Sequence, residues 1–281
     1  MSRYRTLWLG LLFAMLGFGL GLGATRACPA DGPACEVALG EYRAMAPAGR
    51  AGPRPAVVFI HGYGGSASDI LARKDITAAF APHGYVVIAP QGLIRPEAGR
   101  RSWSFRPGDP PRRDELAFIR QIMADATPRF HLDRARVLLA GESIGGSLTW
   151  YLACLAPGEF AAYAPVNGGF WNPLPGRCAG PVKLLHTHGW TDDTVPLEGR
   201  IIRNFAVQGD IFAGLAIWRT ANGCTAQAPT MTSAEGPIWH RQWAGCAPGS
   251  SLEFVLHPGG HEVRDWWAPM ARAWFERAVP R

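Results

Sequence analysis

Lysine is nearly absent from this chain of 281 residues. Of its 28 basic residues, only Lys74 and Lys183 are lysine, and the formal net charge is +6. Three of the arginines lie in the first 27 residues, a predicted targeting segment, and removal of this segment would lower the net charge from +6 to +3. A surplus this small argues against nucleic-acid binding as the main function.

The chain also lacks repeats and closely spaced cysteine pairs. Its 34 Gly and 24 Pro follow no period, which excludes solenoid, collagen-like and low-complexity chains. None of the six cysteines forms a CxxC motif, so zinc binding and thioredoxin-like redox chemistry have little support. Disorder is excluded by 11 Trp, 13 Phe and 6 Tyr, because that much apolar surface favours a buried core.

One long apolar run stands at the N-terminus. Arg3 and Arg5 precede an apolar stretch over 7–22, and small residues follow it, which is the order of a secretory signal peptide. We expect cleavage after Ala27, leaving one domain over 28–281 in the extracellular space or the periplasm. The alternatives are a retained membrane anchor and, through Cys28, a lipoprotein.

All six cysteines follow the predicted cleavage site. An even number of cysteines in an exported protein predicts disulfides, although six cysteines allow fifteen pairings. Pairing of nearest neighbours is the simplest hypothesis, and it gives Cys28–Cys35, Cys154–Cys178 and Cys224–Cys246.

Short apolar runs that end at Gly or Pro alternate with helical patterns. The runs lie at 56–60, 85–89, 137–140 and 182–185. Such runs are typical of strands buried on both faces of a parallel sheet. The helical patterns cover 114–126, 147–156 and 264–278. This alternation predicts an α/β fold with a mostly parallel central sheet and helices on both of its faces.

Arginines cluster in the middle of the chain, at positions 95, 100, 101, 106, 112 and 113. Glu97, Asp109 and Asp114 dilute the cluster. A solvated loop is the simpler interpretation of this cluster. A patch that binds an anionic substrate or a polymer surface is the more specific one.

The run Gly141-Glu142-Ser143-Ile144-Gly145 follows a candidate strand and opens a candidate helix. In that context G-x-S-x-G predicts a nucleophilic serine held on a tight turn. The amide of Ile144, at the start of the helix, is placed to face a developing oxyanion. An ordinary glycine-rich turn is the alternative.

A nucleophilic serine needs a base, and His261 is the best placed of the eight histidines. It follows Pro258-Gly259-Gly260, between a candidate strand at 252–256 and the last helix. His257 is the nearby rival at the end of that strand. His83 and His131 precede strands and therefore belong at the opposite edge of the sheet.

The acid that orients the base is expected between the serine and the histidine in the chain. Asp192 and Asp193 both follow the strand at 182–185, and the offset from the preceding His-Gly pair favours Asp192 while leaving Asp193 open. His186 and His188 have a spacing that suits a metal, but no third ligand is evident. Packing beside the acid is the favoured role for these histidines, and no metal or cofactor is expected.

The strand at 56–60 ends in His61-Gly62-Tyr63-Gly64-Gly65. Glycines allow the backbone to approach a bound carbonyl closely, and a loop at this place supplies a second oxyanion donor. We assign that donor to the amide of Tyr63 and interpret His61 as a brace for the loop.

With these motifs, the chain resembles the secreted α/β-hydrolases of the polyhydroxybutyrate depolymerase and feruloyl esterase-like group. The similar stretches are 57–67, 114–119, 133–137, the serine turn, 160–166 and the loops of Asp192 and His261. The resemblance implies an α/β-hydrolase catalytic domain and a serine carboxylesterase with Ser143, Asp192 and His261 as its triad. It also implies that Cys224 and Cys246 correspond to the late cysteine pair of that group.

Two departures from the group lie near the serine and leave the substrate open. Glu142 and Ile144 stand where the group more often has an apolar or aromatic residue and then Met or Asn. His261 is followed by Glu-Val-Arg-Asp-Trp-Trp instead of an aromatic residue and Pro. We expect no appended binding domain, so soluble esters are as well supported as a solid polymer.

The expected reaction is hydrolysis of hydroxybutyrate-type oligoesters or related hydroxyacyl esters. Feruloyl or acetyl-xylan esters of plant polysaccharides are the alternative substrates, and a prolyl-oligopeptidase-type peptidase is the alternative from another class. The expected partner is a small or oligomeric ester or a polymer surface, with no nucleic acid. Candidate substrate-binding side chains are Trp103, Trp171 and Trp190.

Overall fold

The computed structural model describes residues 28–48, 52–109, 112–202 and 206–280. The predicted signal peptide over 1–27 lies outside these residues. Among the described helices, none combines the length and the apolar character that a membrane span requires.

The described chain contains fourteen strands and six α-helices. The strands are β1 (Cys35–Val37), β2 (Gly40–Met45), β3 (Arg54–Ile60), β4 (Val86–Pro90), β5 (Leu93–Arg95), β6 (Arg100–Ser102), β7 (Leu132–Glu142), β8 (Ala162–Val166), β9 (Lys183–Gly189), β10 (Arg200–Ile202), β11 (Ala206–Gln208), β12 (Met231–Glu235), β13 (Ile238–Trp243) and β14 (Ser251–His257). The helices are α1 (Ala67–Ala72), α2 (Lys74–Phe80), α3 (Glu115–Phe130), α4 (Ile144–Leu155), α5 (Ile211–Ala221) and α6 (Trp267–Ala278).

Ten of these strands form one sheet in the order β1-β2-β4-β3-β7-β8-β9-β14-β13-β12. The six from β4 to β14 pair in parallel, and antiparallel strands flank them on both sides. The predicted α/β fold with a mostly parallel sheet is therefore confirmed.

Helices cover both faces of this sheet because its central strands are apolar on both sides. In β3, Val58 and Ile60 face one hydrophobic cluster together with α3, α4 and α5. Val57 and Phe59 face a second cluster with α1, α2 and α6. Because the six central strands are parallel, their carboxyl ends meet at one edge of the sheet, where the loops that follow them lie side by side.

The bounds of several elements differ from the sequence-based expectation. The sequence pattern predicts that α3 ends at Ala126, yet the helix continues through Pro128 to Phe130. Ala126 and Phe130 are buried in the core, and this burial outweighs the hydrogen bond that proline removes. The helix ends at Phe130, because the next residue, His131, adopts a left-handed φ of 54°.

Three disulfides join nearest-neighbour cysteines, as expected. They are Cys28–Cys35, Cys154–Cys178 and Cys224–Cys246. Three disulfides fit an exported protein, because reducing compartments disfavour them.

Candidate active site

Ser143 occupies a strained turn between β7 and α4. Its φ and ψ are 56° and −124°, a conformation that a residue with a side chain adopts only when its surroundings impose it. The glycines around it explain how the turn closes. A Cβ at Gly145 would lie 2.3 Å from the carbonyl oxygen of Ile60, and one at Gly141 would lie 2.6 Å from the carbonyl oxygen of Gly145. Only glycine lets the turn approach β3 this closely.

His261 lies between Ser143 and Asp192. Its Nε2 is 2.8 Å from the Ser143 hydroxyl, and its Nδ1 is 2.7 Å from a carboxylate oxygen of Asp192. The three residues come from loops after β14, β7 and β9, so the sheet edge assembles side chains that are far apart in the chain. The arrangement suits proton transfer from the hydroxyl to the imidazole.

Asp192 is buried and held by backbone amides. Its second carboxylate oxygen accepts hydrogen bonds from the amides of Thr194 at 2.9 Å and Val195 at 2.8 Å. Burial alone would raise the pKa of this carboxyl, but the hydrogen bonds from His261 and Val195 outweigh burial and lower the pKa below its ordinary value. Asp192 is therefore a carboxylate at neutral pH.

Within the described chain, the alternative acid, Asp193, and the alternative base, His257, form no hydrogen bond with Ser143 or His261. Asp193 is exposed, and its carboxylate accepts a hydrogen bond from the Thr194 hydroxyl at 3.3 Å. His257 is buried at the end of β14, where its Nδ1 accepts a hydrogen bond from the amide of Gly259 at 3.1 Å. The geometry thus brings Asp192 and His261 to Ser143 and leaves both rivals outside the hydrogen-bonded series.

His186 and His188 form a buried series behind Asp192. The Trp150 indole donates to Nδ1 of His186 at 3.3 Å, and Nε2 of His186 lies 3.1 Å from Nδ1 of His188. Nε2 of His188 is then placed to donate to the carbonyl of Val195 at 2.7 Å, with Asp192 at 3.5 Å. Burial lowers the pKa of His188 to about 4, so the ring is neutral at pH 7. Among the described residues, no cluster of three potential metal ligands occurs.

The loop after β3 lies against the serine. A Cβ at Gly62 would be 3.3 Å from the Ser143 Cβ, so the backbone of this loop passes close to the hydroxyl. Tyr63 and Ile144 line the same cavity as Ser143, and the amide of Ile144, as the first residue of α4, has no acceptor within the helix. The assignment of these two amides as oxyanion donors stays a prediction.

His61 is buried beneath this loop. Its Nδ1 lies 2.7 Å from the Gly62 carbonyl, and its Nε2 accepts a hydrogen bond from the Gly92 amide at 3.0 Å. Burial lowers its pKa to about 4. These contacts fix the position of the loop, in agreement with the interpretation of His61 as a brace.

No family model matches the chain. A probable feruloyl esterase C of Aspergillus terreus is 27% identical over 210 residues, which are 72% of this chain and 68% of that protein. Feruloyl esterase C of Emericella nidulans is 28% identical over 182 residues, which are 63% of this chain and only 57% of that protein.

Solved structures show the same fold. An acetyl xylan esterase from Aspergillus awamori has a TM-score of 0.63 at 16% identity, with 84% of this chain and 93% of that chain covered. A Bacillus cereus carboxylesterase has a TM-score of 0.55 at 14% identity, with 84% and 94% covered. The chain therefore has the α/β-hydrolase fold, and its similar curated relatives include feruloyl esterases.

Asn167 connects the loop of Asp192 to the loop of His261, and no sequence motif pointed to it. It follows β8, is buried and has a φ of 47°. Its side-chain oxygen accepts a hydrogen bond from the amide of Gly189 at 3.1 Å, and its side-chain nitrogen donates to the carbonyl of Glu262 at 3.0 Å. Its place just after a parallel strand is the signal that could have found it.

The three tryptophans expected near substrate occupy different environments. Trp171 lines a cavity of about 400 Å³ beside Ser143. Trp103 does not line it, because its indole is buried under the loop and donates to the carbonyl of His61 at 2.9 Å. Trp190 is 58% exposed and belongs to a separate pocket, where it faces Trp239.

Proposed function

We propose that this α/β-hydrolase is a serine carboxylesterase in which Ser143 is the nucleophile, His261 the base and Asp192 the acid that orients the base. The observation that supports it most is the pair of contacts on one imidazole, 2.8 Å to the Ser143 hydroxyl and 2.7 Å to Asp192. The strained backbone of Ser143 supports the same proposal, because such strain concentrates at functional residues.

In the proposed reaction, Nε2 of His261 takes the proton of the Ser143 hydroxyl as its oxygen attacks the ester carbonyl carbon. Asp192 keeps the ring in the correct tautomer and stabilises the imidazolium. The amides of Tyr63 and Ile144 donate to the oxyanion, each worth roughly 3–4 kcal/mol by analogy with other oxyanion holes. His261 then protonates the leaving alkoxide, and water attacks the acyl-serine to release the acid and restore the hydroxyl.

The names of the relatives support a substrate class, but less precisely than the geometry of the site supports the reaction. Two of the curated relatives are named feruloyl esterases, and a structural neighbour is an acetyl xylan esterase. These names favour feruloyl or acetyl esters of plant polysaccharides over the hydroxybutyrate oligoesters that the sequence motifs also suggest. The three disulfides support action outside the cytoplasm.

A hydrolysis panel tests the proposal. It contains p-nitrophenyl acetate and butyrate, methyl ferulate, acetylated xylan, a hydroxybutyrate trimer and, for the peptidase alternative, a peptide p-nitroanilide. The matched variants are Ser143→Ala and Ser233→Ala, the latter at an exposed serine of β12. We expect ester hydrolysis that only Ser143→Ala abolishes. Hydrolysis of the anilide alone, or equal activity in both variants, would contradict the proposal.

A further inference from the structure

The cavity of about 400 Å³ beside Ser143 combines an apolar wall with positive charge. Ile144, Trp171 and Val195 supply apolar surface next to the serine. The charged residues that line the cavity are Arg95, Arg106, Arg200 and Glu97. A cavity with three guanidinium groups and one carboxylate carries a positive surplus.

The carboxylates around the cavity do not neutralise it. Glu97 is paired outward with Arg112 at 2.8 Å. Asp109 is shared by two of the cavity arginines, since it accepts from Nε of Arg106 at 2.7 Å and also contacts Nη2 of Arg106, and it lies 3.8 Å from Arg95. The Arg95 and Arg106 side chains are only 16% and 21% exposed. Burial and the neighbouring Arg106 lower the pKa of Arg95, as expected for half-buried cations with too little counter-charge.

Arg200 lacks an acidic partner among the described residues. Its Nε donates to the side-chain oxygen of Gln208 at 3.1 Å, and no described carboxylate lies within 4.0 Å of its guanidinium. The amide orients the side chain without neutralising it. A guanidinium held in this way retains its charge and further N–H donors for a ligand.

The opposite side of Ser143 differs in charge. A second cavity, of about 380 Å³, is lined by His261, Glu142 and Glu262 and by no arginine. Its two carboxylates pair with Arg73 and Arg264, each at 2.6 Å, so this cavity has no positive surplus. In ester hydrolysis the imidazole must protonate the leaving alkoxide, so the alcohol part of the ester belongs on the His261 side. The acyl part is then left for the arginine-lined cavity.

We propose that the arginine-lined cavity binds the acyl group of the ester and selects acyl groups that end in a carboxylate, as in the hemiesters of dicarboxylic acids. The inference rests on the proposed esterase function of Ser143, and it names a different acyl group from the feruloyl and acetyl groups that the names of the relatives favour. The apolar wall contacts the carbon chain of the acyl group. The two Nη groups of Arg200 bind its terminal carboxylate with two parallel hydrogen bonds, and Nη1 of Arg106, whose other nitrogens contact Asp109, adds a further donor. Arg106 belongs to the arginine cluster for which the sequence allows two interpretations, a solvated loop or a patch that binds an anionic substrate.

Two esters that differ only in charge test this selection. p-Nitrophenyl hydrogen glutarate carries the terminal carboxylate, and p-nitrophenyl methyl glutarate has the same leaving group and acyl chain without the charge. We expect the wild type to prefer the charged ester by about tenfold in kcat/KM, mainly through KM. The preference is expected to fall severalfold in Arg200→Gln and in Arg106→Gln, and to shrink in about 0.5 M NaCl.

A matched control removes an arginine far from the cavity. Arg277 is exposed on α6, so Arg277→Gln changes the net charge equally and should keep the full preference. Circular dichroism and thermal unfolding of all variants verify that they fold. Equal efficiency on both esters in the wild type, or an equal loss of preference in Arg277→Gln, would overturn the inference while leaving the esterase proposal standing.

Binding separates the inference from catalysis. The Ser143→Ala variant, titrated calorimetrically with monomethyl glutarate and with dimethyl glutarate, should bind the charged ester more tightly, and Arg200→Gln in that background should reduce the difference. If no ester is hydrolysed, the proposed function is wrong. If monomethyl glutarate and dimethyl glutarate bind with equal affinity in this titration, the proposed anion site is wrong as well. A preference for acetyl glycolate, which carries its carboxylate on the alcohol, over its methyl ester would overturn the placement of the acyl group.

Discussion

The guanidinium of Arg73 lies 2.6 Å from the carboxylate of Glu142, the residue immediately before Ser143. Arg73 stands between α1 and α2 and also pairs with Asp75 at 2.5 Å. The ion pair therefore connects the helices after β3 to the serine turn. Polar Glu142 departs from the apolar or aromatic residue expected by resemblance, and Arg73 is the partner that accommodates it.

We expect this ion pair to stabilise the fold modestly. Both side chains are about one quarter exposed, so solvent screens the attraction and the coupling should be about 1 kcal/mol. A double-mutant cycle with Arg73→Ala and Glu142→Ala, measured by urea unfolding, gives this coupling directly. A coupling of zero would show that the contact carries no stability.

Asn167 is expected to position the loops that carry Asp192 and His261. Asn167→Ala removes the hydrogen bonds to Gly189 and Glu262 and places alanine at a φ of 47°, which alanine tolerates poorly. We predict a loss of about 2 kcal/mol in unfolding free energy and a fall in kcat of about tenfold with a smaller change in KM. A variant that loses stability but keeps kcat would limit Asn167 to a structural role.

The sequence predicted the parts of the site that lie at strand ends. Ser143 and the loop of Tyr63 follow wholly apolar runs that become β7 and β3, and the boundaries of such runs are visible without the fold. Asn167 was missed because its contacts join loops that are distant in the chain. The end of α3 was placed too early because the burial of Phe130, which outweighs Pro128, depends on tertiary packing.

Buried histidines should make the protein less stable as the pH falls. Burial lowers the pKa of His61 and His188 to about 4 and that of His186 well below its ordinary value. The unfolded chain binds protons near pH 6.5, so stability is complete above that pH and declines between about 6.5 and 4, by about 1.4 kcal/mol per pH unit for each histidine. Urea unfolding at pH 7.5, 6.5, 5.5 and 4.5 measures the slope. An unfolding free energy that stays constant from pH 6.5 to 5 would contradict this prediction.

Glycine at position 145 is expected to be essential for the serine turn. Gly145→Ala would place a Cβ 2.3 Å from the Ile60 carbonyl oxygen, and separating these backbone segments should cost about 3 kcal/mol and most of the activity. Gly158→Ala is the matched control, because no atom lies within 4 Å of its added Cβ, and its effect should stay within about 0.5 kcal/mol. Equal thermal stability of the two variants would refute the steric account of the turn.

The central claim is that Ser143 is a nucleophile activated by His261. The most direct measurement is labelling with a fluorophosphonate, which forms a covalent bond only with an activated serine, followed by mass spectrometry of the intact protein and its peptides. We predict one label per chain, on the peptide that contains Ser143, with none in Ser143→Ala and much slower labelling in His261→Ala. Labelling of a different residue, or unchanged labelling in Ser143→Ala, would contradict the account.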